Sequence, residues 1–147
     1  MSKYVEFFAA PGDAAAAAVR NSGPAGRYPV VDASDIYFDA DDAVLAWREL
    51  SAGRPAAYPP ERYDLTMVAD FVNDGSAVFA LPDELVLDLI KASPLRLREI
   101  AESWHPLVVA DGTHIDAETA TALLSEIAQL ARSAAGTTNR LYCWVAC

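Results

Sequence analysis

The chain has 147 residues, 53% of them hydrophobic, and its 21 acidic against 11 basic side chains give a formal charge of −10. That length is one domain, able to bury roughly 68–70% of its unfolded surface without staples, and its apolar content excludes disorder. The acid excess without a basic cluster disfavours nucleic acid and anionic membrane surfaces, and no apolar run approaches the roughly 18–20 residues that cross a bilayer.

MSKYVEFFAAPGD has one lysine and places Glu6 inside its short apolar stretch, which makes a poor signal peptide. The expectation is one soluble, cytoplasmic domain over residues 1–147, with no nucleic-acid and no membrane partner.

KYVEFFAA (3–10) reads as a strand with apolar residues on both faces, as in the middle of a covered sheet. Pro11-Gly12-Asp13 opens an alanine run, 14–18, of high helix propensity, with Asp13 as its cap and Gly23 past its end. A loop follows, with a short extended piece at Tyr28–Val31. Asp39 then caps a second helix, which carries Val44, Trp47 and Leu50 on one stripe and stops at Gly53 and Pro55.

Residues 59–75 fit two periods. Tyr63, Met67, Val68, Phe71 and Val72 make a helical face, while Leu65, Met67, Ala69 and Phe71 make a strand face. Length and Pro60 at the start favour helix. SAVFAL (76–81) is a buried strand between Gly75 and Pro82. PDELVLDLIKA is apolar nearly all round, which predicts a buried helix. SPLRLREIAESW has Ser93 as cap, Pro94 at the first helical position and Leu97, Ile100, Ala101 and Trp104 on one face, with Pro106 ending it. A longer helix runs from Asp116 to about Ala134 and closes at Gly136, and RLYCWVAC makes the last strand. The pattern predicts one α+β domain: a small mixed or antiparallel sheet that includes both terminal strands, covered by about five helices.

Alternation in the last strand puts Cys143, Val145 and Cys147 on one face and Tyr142, Trp144 and Ala146 on the other. The two cysteine Cα atoms then stand about 13 Å apart, beyond the roughly 7 Å limit of a disulfide and too far to share a zinc. Cys143 is therefore a core residue and Cys147 the thiol open to reagents.

Asp111, His114, Asp116 and Glu118, with His105 just before them, are a possible divalent-metal cluster. A turn at Asp111-Gly112 and a helix cap at Asp116 explain the same residues more simply. Asp32, Asp35, Asp39, Asp41 and Asp42 resemble a calcium loop, but Val44 stands where that loop needs glycine and Leu50 where it needs glutamate. No phosphate-binding glycine loop, nucleophile elbow or hydrolytic triad is present. The expectation is no metal, no cofactor and no catalytic residue.

From about Phe38 onward the layout resembles the YfbM-like family of bacterial proteins of unknown function. The likeness rests on the acidic cap and Trp-containing helix DADDAVLAWRELSAG, the strand and helix VFALPDELVLDLI, and the closing helix and strand LLSEIAQLARSAAGTTNRLYCWVAC. It implies an α+β fold and no activity.

The leading expectation is a non-enzymatic, acidic protein-interaction module of the inhibitor or immunity type. It meets a basic protein partner through an acidic face at Asp39, Asp41 and Asp42. The rival is a small-molecule binder or enzyme with a pocket lined by aromatics such as Trp47, Trp104 and Tyr63. An aromatic pocket open to solvent and lined by carboxylates of displaced pKa favours the rival, and a closed core beside an acidic face favours the interaction module.

Overall fold

The computed structural model describes residues 3–71 and 75–147. Five strands form one sheet: β1 (Tyr4–Ala10), β2 (Val30–Asp32), β3 (Thr66–Ala69), β4 (Ala77–Ala80) and β5 (Arg140–Ala146). Their order is β2-β1-β5-β4-β3, and every pairing is antiparallel. The two terminal strands lie side by side at the centre, with Tyr4 opposite Ala146 and Ala10 opposite Arg140. The helices are α1 (Asp13–Ala17), α2 (Ala40–Ser51), α3 (Asp83–Lys91), α4 (Pro94–Ala110) and α5 (Ala117–Ala134), with a 3-10 turn at Ser34–Ile36. The fold is α+β.

The sheet's faces are covered unequally. One carries Val5, Phe7, Phe79, Cys143 and Val145 into a large core completed by α2 to α5. Trp47 of α2 and Trp104 of α4 are fully buried there, their rings edge-to-face at 5.1 Å, and Phe38 packs against both. The other face carries Phe8, Val78, Tyr142 and Trp144 under α1 and the turn that follows it. Alternation along β5 is as the sequence predicts, and both cysteines are free, Cys143 buried and Cys147 exposed.

Ser93 and Asp116 cap α4 and α5, accepting from the backbone N–H of Arg96 and Thr119 at 3.1 and 2.7 Å. Asp13 does not cap α1. Gly12 occupies that position, and the Asp13 carboxylate instead accepts from the Tyr142 hydroxyl at 2.8 Å. Asp39 holds the N-cap position of α2 without a capping hydrogen bond from its side chain.

Three further expectations are corrected. Within 59–75 the favoured helix gives way to the strand β3, paired with β4; Val72 lies outside the described residues. A helix would have presented Tyr63 and Phe71 to the core, yet each is 55% exposed. Strand pairing satisfies the backbone while leaving those rings at the surface. Pro106 does not end α4, which continues to Ala110. The proline is exposed, while Trp104 and Val108 on either side of it are anchored in the core. That tertiary burial outweighs the lost backbone bond. Finally, α3 buries one stripe, Leu85 and Leu89, and leaves Leu87 54% exposed.

Candidate functional site: an acidic, aromatic-walled cleft

Phe38, fully buried among the tryptophans, anchors the start of α2. The helix therefore begins at a fixed point, and its first turn presents Asp41 and Asp42 beside Asp39. Carboxylates are stabilised at a helix N-terminus by the exposed N–H groups and the dipole. The Asp42 backbone N–H donates to Asp41 Oδ1 at 3.0 Å. From the far side comes Asp111, at the C-cap of α4. Oxygen atoms of Asp39, Asp42 and Asp111 all lie within 4.8 Å of one another.

The loop from α2 to β3 adds an aromatic wall. Arg48, on the last turn of α2, donates to Asp64 Oδ1 at 3.0 Å and clamps that loop. The preceding residue, Tyr63, is thereby held with its hydroxyl bonded to the Asp42 carboxylate. Tyr63, Phe71, Phe79 and Val145 with Asp39, Asp41 and Asp42 line an open cleft of about 450 Å³, and Cys147 lines it too.

Charge in this cleft is under strain. Burial raises the pKa of Asp41, and neighbouring Asp39 adds to the rise. Burial also raises Asp42, with the like charges of Asp41, Asp39 and Asp111 on top and the Tyr63 hydrogen bond in partial opposition. That same bond is the main reason the Tyr63 hydroxyl is pushed up to about 12. Tyr58 is raised by burial and then by Asp42, Asp111 and Asp39. Several negative charges held close together in a partly desolvated site lower their free energy by gaining a cation or a proton.

Asp39, Asp41 and Asp42, the residues expected to form an acidic face, all line this cleft. Asp111 joins them instead of His114, Asp116 and Glu118. Asp116 is occupied in capping α5, and His105 bonds the Ile115 carbonyl at 2.7 Å through Nε2. Among the described residues, Asp39, Asp42 and Asp111 are the acids placed close enough to share one ion; an all-carboxylate set suits a hard cation rather than zinc. Of the calcium-loop candidates, Asp32 instead turns back to accept from the Ser34 N–H at 2.9 Å.

Of the three aromatics proposed for a pocket, only Tyr63 lines this cleft; Trp47 and Trp104 are core. Sequence reasoning grouped Asp111 with His114, Asp116 and Glu118 and missed its approach to Asp39 and Asp42, about seventy positions away, because only the packing of α4 against α2 brings it near. No protein-family model, curated protein or solved structure matches this chain.

Proposed function

We propose that this chain is a non-catalytic binding module whose cleft takes an organic cation, a charged nitrogen on an apolar body. The observation that carries this reading is the meeting of three carboxylates, two of them with raised pKa, with aromatic walls in a cleft open to solvent. Carboxylates supply the attraction for the nitrogen, and the Tyr63 and Phe71 rings supply cation–π and apolar contact for the rest. The resemblance to the YfbM-like family adds an α+β fold to this proposal and no activity.

A second reading places the cation on a basic protein partner, as a lysine or arginine side chain inserted into the cleft. The 55% exposure of both Tyr63 and Phe71 supports it, since exposed aromatics beside a charged patch are common anchors at protein interfaces.

Calorimetry with benzylamine and with a short lysine- and arginine-rich peptide tests both readings. The first expects saturable binding of benzylamine, lost in the triple variant Asp39→Asn, Asp41→Asn, Asp42→Asn and weakened about tenfold by Tyr63→Ala. The second expects the peptide to bind at least a hundredfold, roughly, more tightly than benzylamine, with association slowing as salt rises past a Debye length of about 8–10 Å. Binding of neither probe, or binding unchanged in the triple variant, ends both.

A further inference from the structure

The opposite face of the sheet holds a second cleft, of about 390 Å³, between the start of β1, the end of β5 and the turn after α1. That volume lies near the small end of small-molecule sites, which run from about 300 to 1,000 Å³.

Glu6 projects from β1 into this cleft, opposite Trp144 on β5 and Asp32 on β2. Its position on an inner strand shields Oε1 from solvent, and that oxygen has no hydrogen-bond partner among the described residues. Burial raises the Glu6 pKa, and the like charge of Asp32 adds to the rise.

Arg20 lines the same cleft from the turn. Its Nε is shielded and likewise has no partner among the described residues. The turn itself is held in place by two contacts. Trp144 Nε1 donates to the Arg20 carbonyl at 2.8 Å. Gly23, at φ 79, lies so close to the Trp144 ring that a Cβ would stand 3.0 Å from it. With its N–H satisfied, the Trp144 indole lines the cleft with the 7% of its surface left exposed, and Tyr4, 40% exposed, stacks on it at 5.9 Å and supplies most of the apolar wall.

Opposite charges in one cleft normally pair with each other. No ion pair joins Glu6 and Arg20 here, and each keeps a desolvated polar atom unmatched, which is costly. Both side chains are half-buried and line the cleft, so a molecule carrying both charges meets their solvent-facing atoms together.

We propose that this cleft binds a small zwitterion of the amino-acid class, its ammonium on Glu6, its carboxylate on Arg20 and its side chain against Trp144 and Tyr4. The site is separate from the acidic cleft and its chemistry is independent of it.

Three ligands on one carbon frame separate the charges: L-phenylalanine, 3-phenylpropionate and phenethylamine. Calorimetry should show saturable binding of L-phenylalanine with a change in Trp144 emission, and binding about tenfold or more weaker when the ligand lacks either charge. Glu6→Gln should weaken L-phenylalanine and leave 3-phenylpropionate unchanged; Arg20→Gln should weaken L-phenylalanine and leave phenethylamine unchanged. Glu6→Asp and Arg20→Lys keep the charges and should retain part of the affinity, which separates lost charge from lost folding. The Asp39→Asn, Asp41→Asn, Asp42→Asn chain should bind L-phenylalanine normally, so failure here is distinguishable from failure of the acidic cleft. The proposal is overturned if no standard amino acid binds at about 10 mM, a threshold equivalent to only a few kcal/mol. Phenethylamine binding as tightly as L-phenylalanine overturns it too, as does affinity indifferent to both glutamine variants.

Discussion

The two faces of the sheet solve the burial problem differently. The face under α2 to α5 is closed by four helices and two interlocked tryptophans, and its core is one cluster drawn from Val5 through Val145. The other face is closed by a one-turn helix and a turn, over a much smaller cluster around Tyr142 and Trp144. A thick layer excludes water and unpaired charge from its centre. A thin layer leaves room for Glu6 Oε1 and Arg20 Nε to sit shielded from solvent with no partner among the described residues. Both clefts open at margins of the sheet and are lined in part by Cys147, just past the end of β5. The difference teaches that helix cover supplies most of the burial here, while both clefts proposed as binding sites lie at the edges of that cover.

Truncation tests the comparison most severely. Trp104→Ala empties the middle of the thick core and should cost about 3–5 kcal/mol in denaturant unfolding. On the thin face, Val19→Ala removes two buried methyl-sized groups and should cost about 1.5 kcal/mol. Equal losses at the two sites would mean that the thin layer is as deeply integrated as the thick one, and the contrast would fall.

Capping sharpens the account of the thick layer. Ser93→Ala deprives α4 of its cap and should destabilise by about 1 kcal/mol, with Ser93→Asp largely restoring it. An unchanged midpoint for Ser93→Ala would show that α4 is held by its buried stripe alone.

A smaller effect, of opposite sign, is expected at the acidic cleft. The folded-state pKa of Asp42 is raised above its ordinary value of 3.8. Folding therefore favours the protonated form, and that contribution is fully present below about pH 3.8. As pH rises through the folded value it is lost, and ionised Asp42 opposes folding at neutrality. Asp42→Asn should raise the thermal midpoint at pH 7, and the gain should shrink as pH falls toward 4. A variant less stable than the parent at pH 7 would show that the bond from Tyr63 outweighs the cost of burying the charge.

The least perturbing test uses the cysteines. Native thiol titration should find Cys147 alone, since Cys143 is fully buried and burial raises its thiol pKa well above the usual range. Both should react after denaturation. Reaction of two thiols in the native protein would mean that β5 leaves the sheet readily, and neither face would then be as closed as described.

Much of this was legible from the chain itself. The terminal strands, the alternation that buries Cys143, the caps at Ser93 and Asp116 and the tryptophan stripes follow from local periodicity and capping chemistry, which act within a few residues. The acids at the start of α2 were also readable as a cluster, being neighbours in sequence. Where two local readings were nearly balanced, tertiary contacts decided. Pairing with β4 made 66–69 a strand, and the buried residues flanking Pro106 carried α4 through it. The sites lay furthest beyond reach. Asp111 joins Asp39 and Asp42 only through the packing of α4 on α2, and Arg20 faces Glu6's cleft only because the Gly23 turn packs on Trp144. Local preferences set which elements form. The meeting of groups far apart in sequence depends on how whole layers pack, and no short-range pattern encodes that.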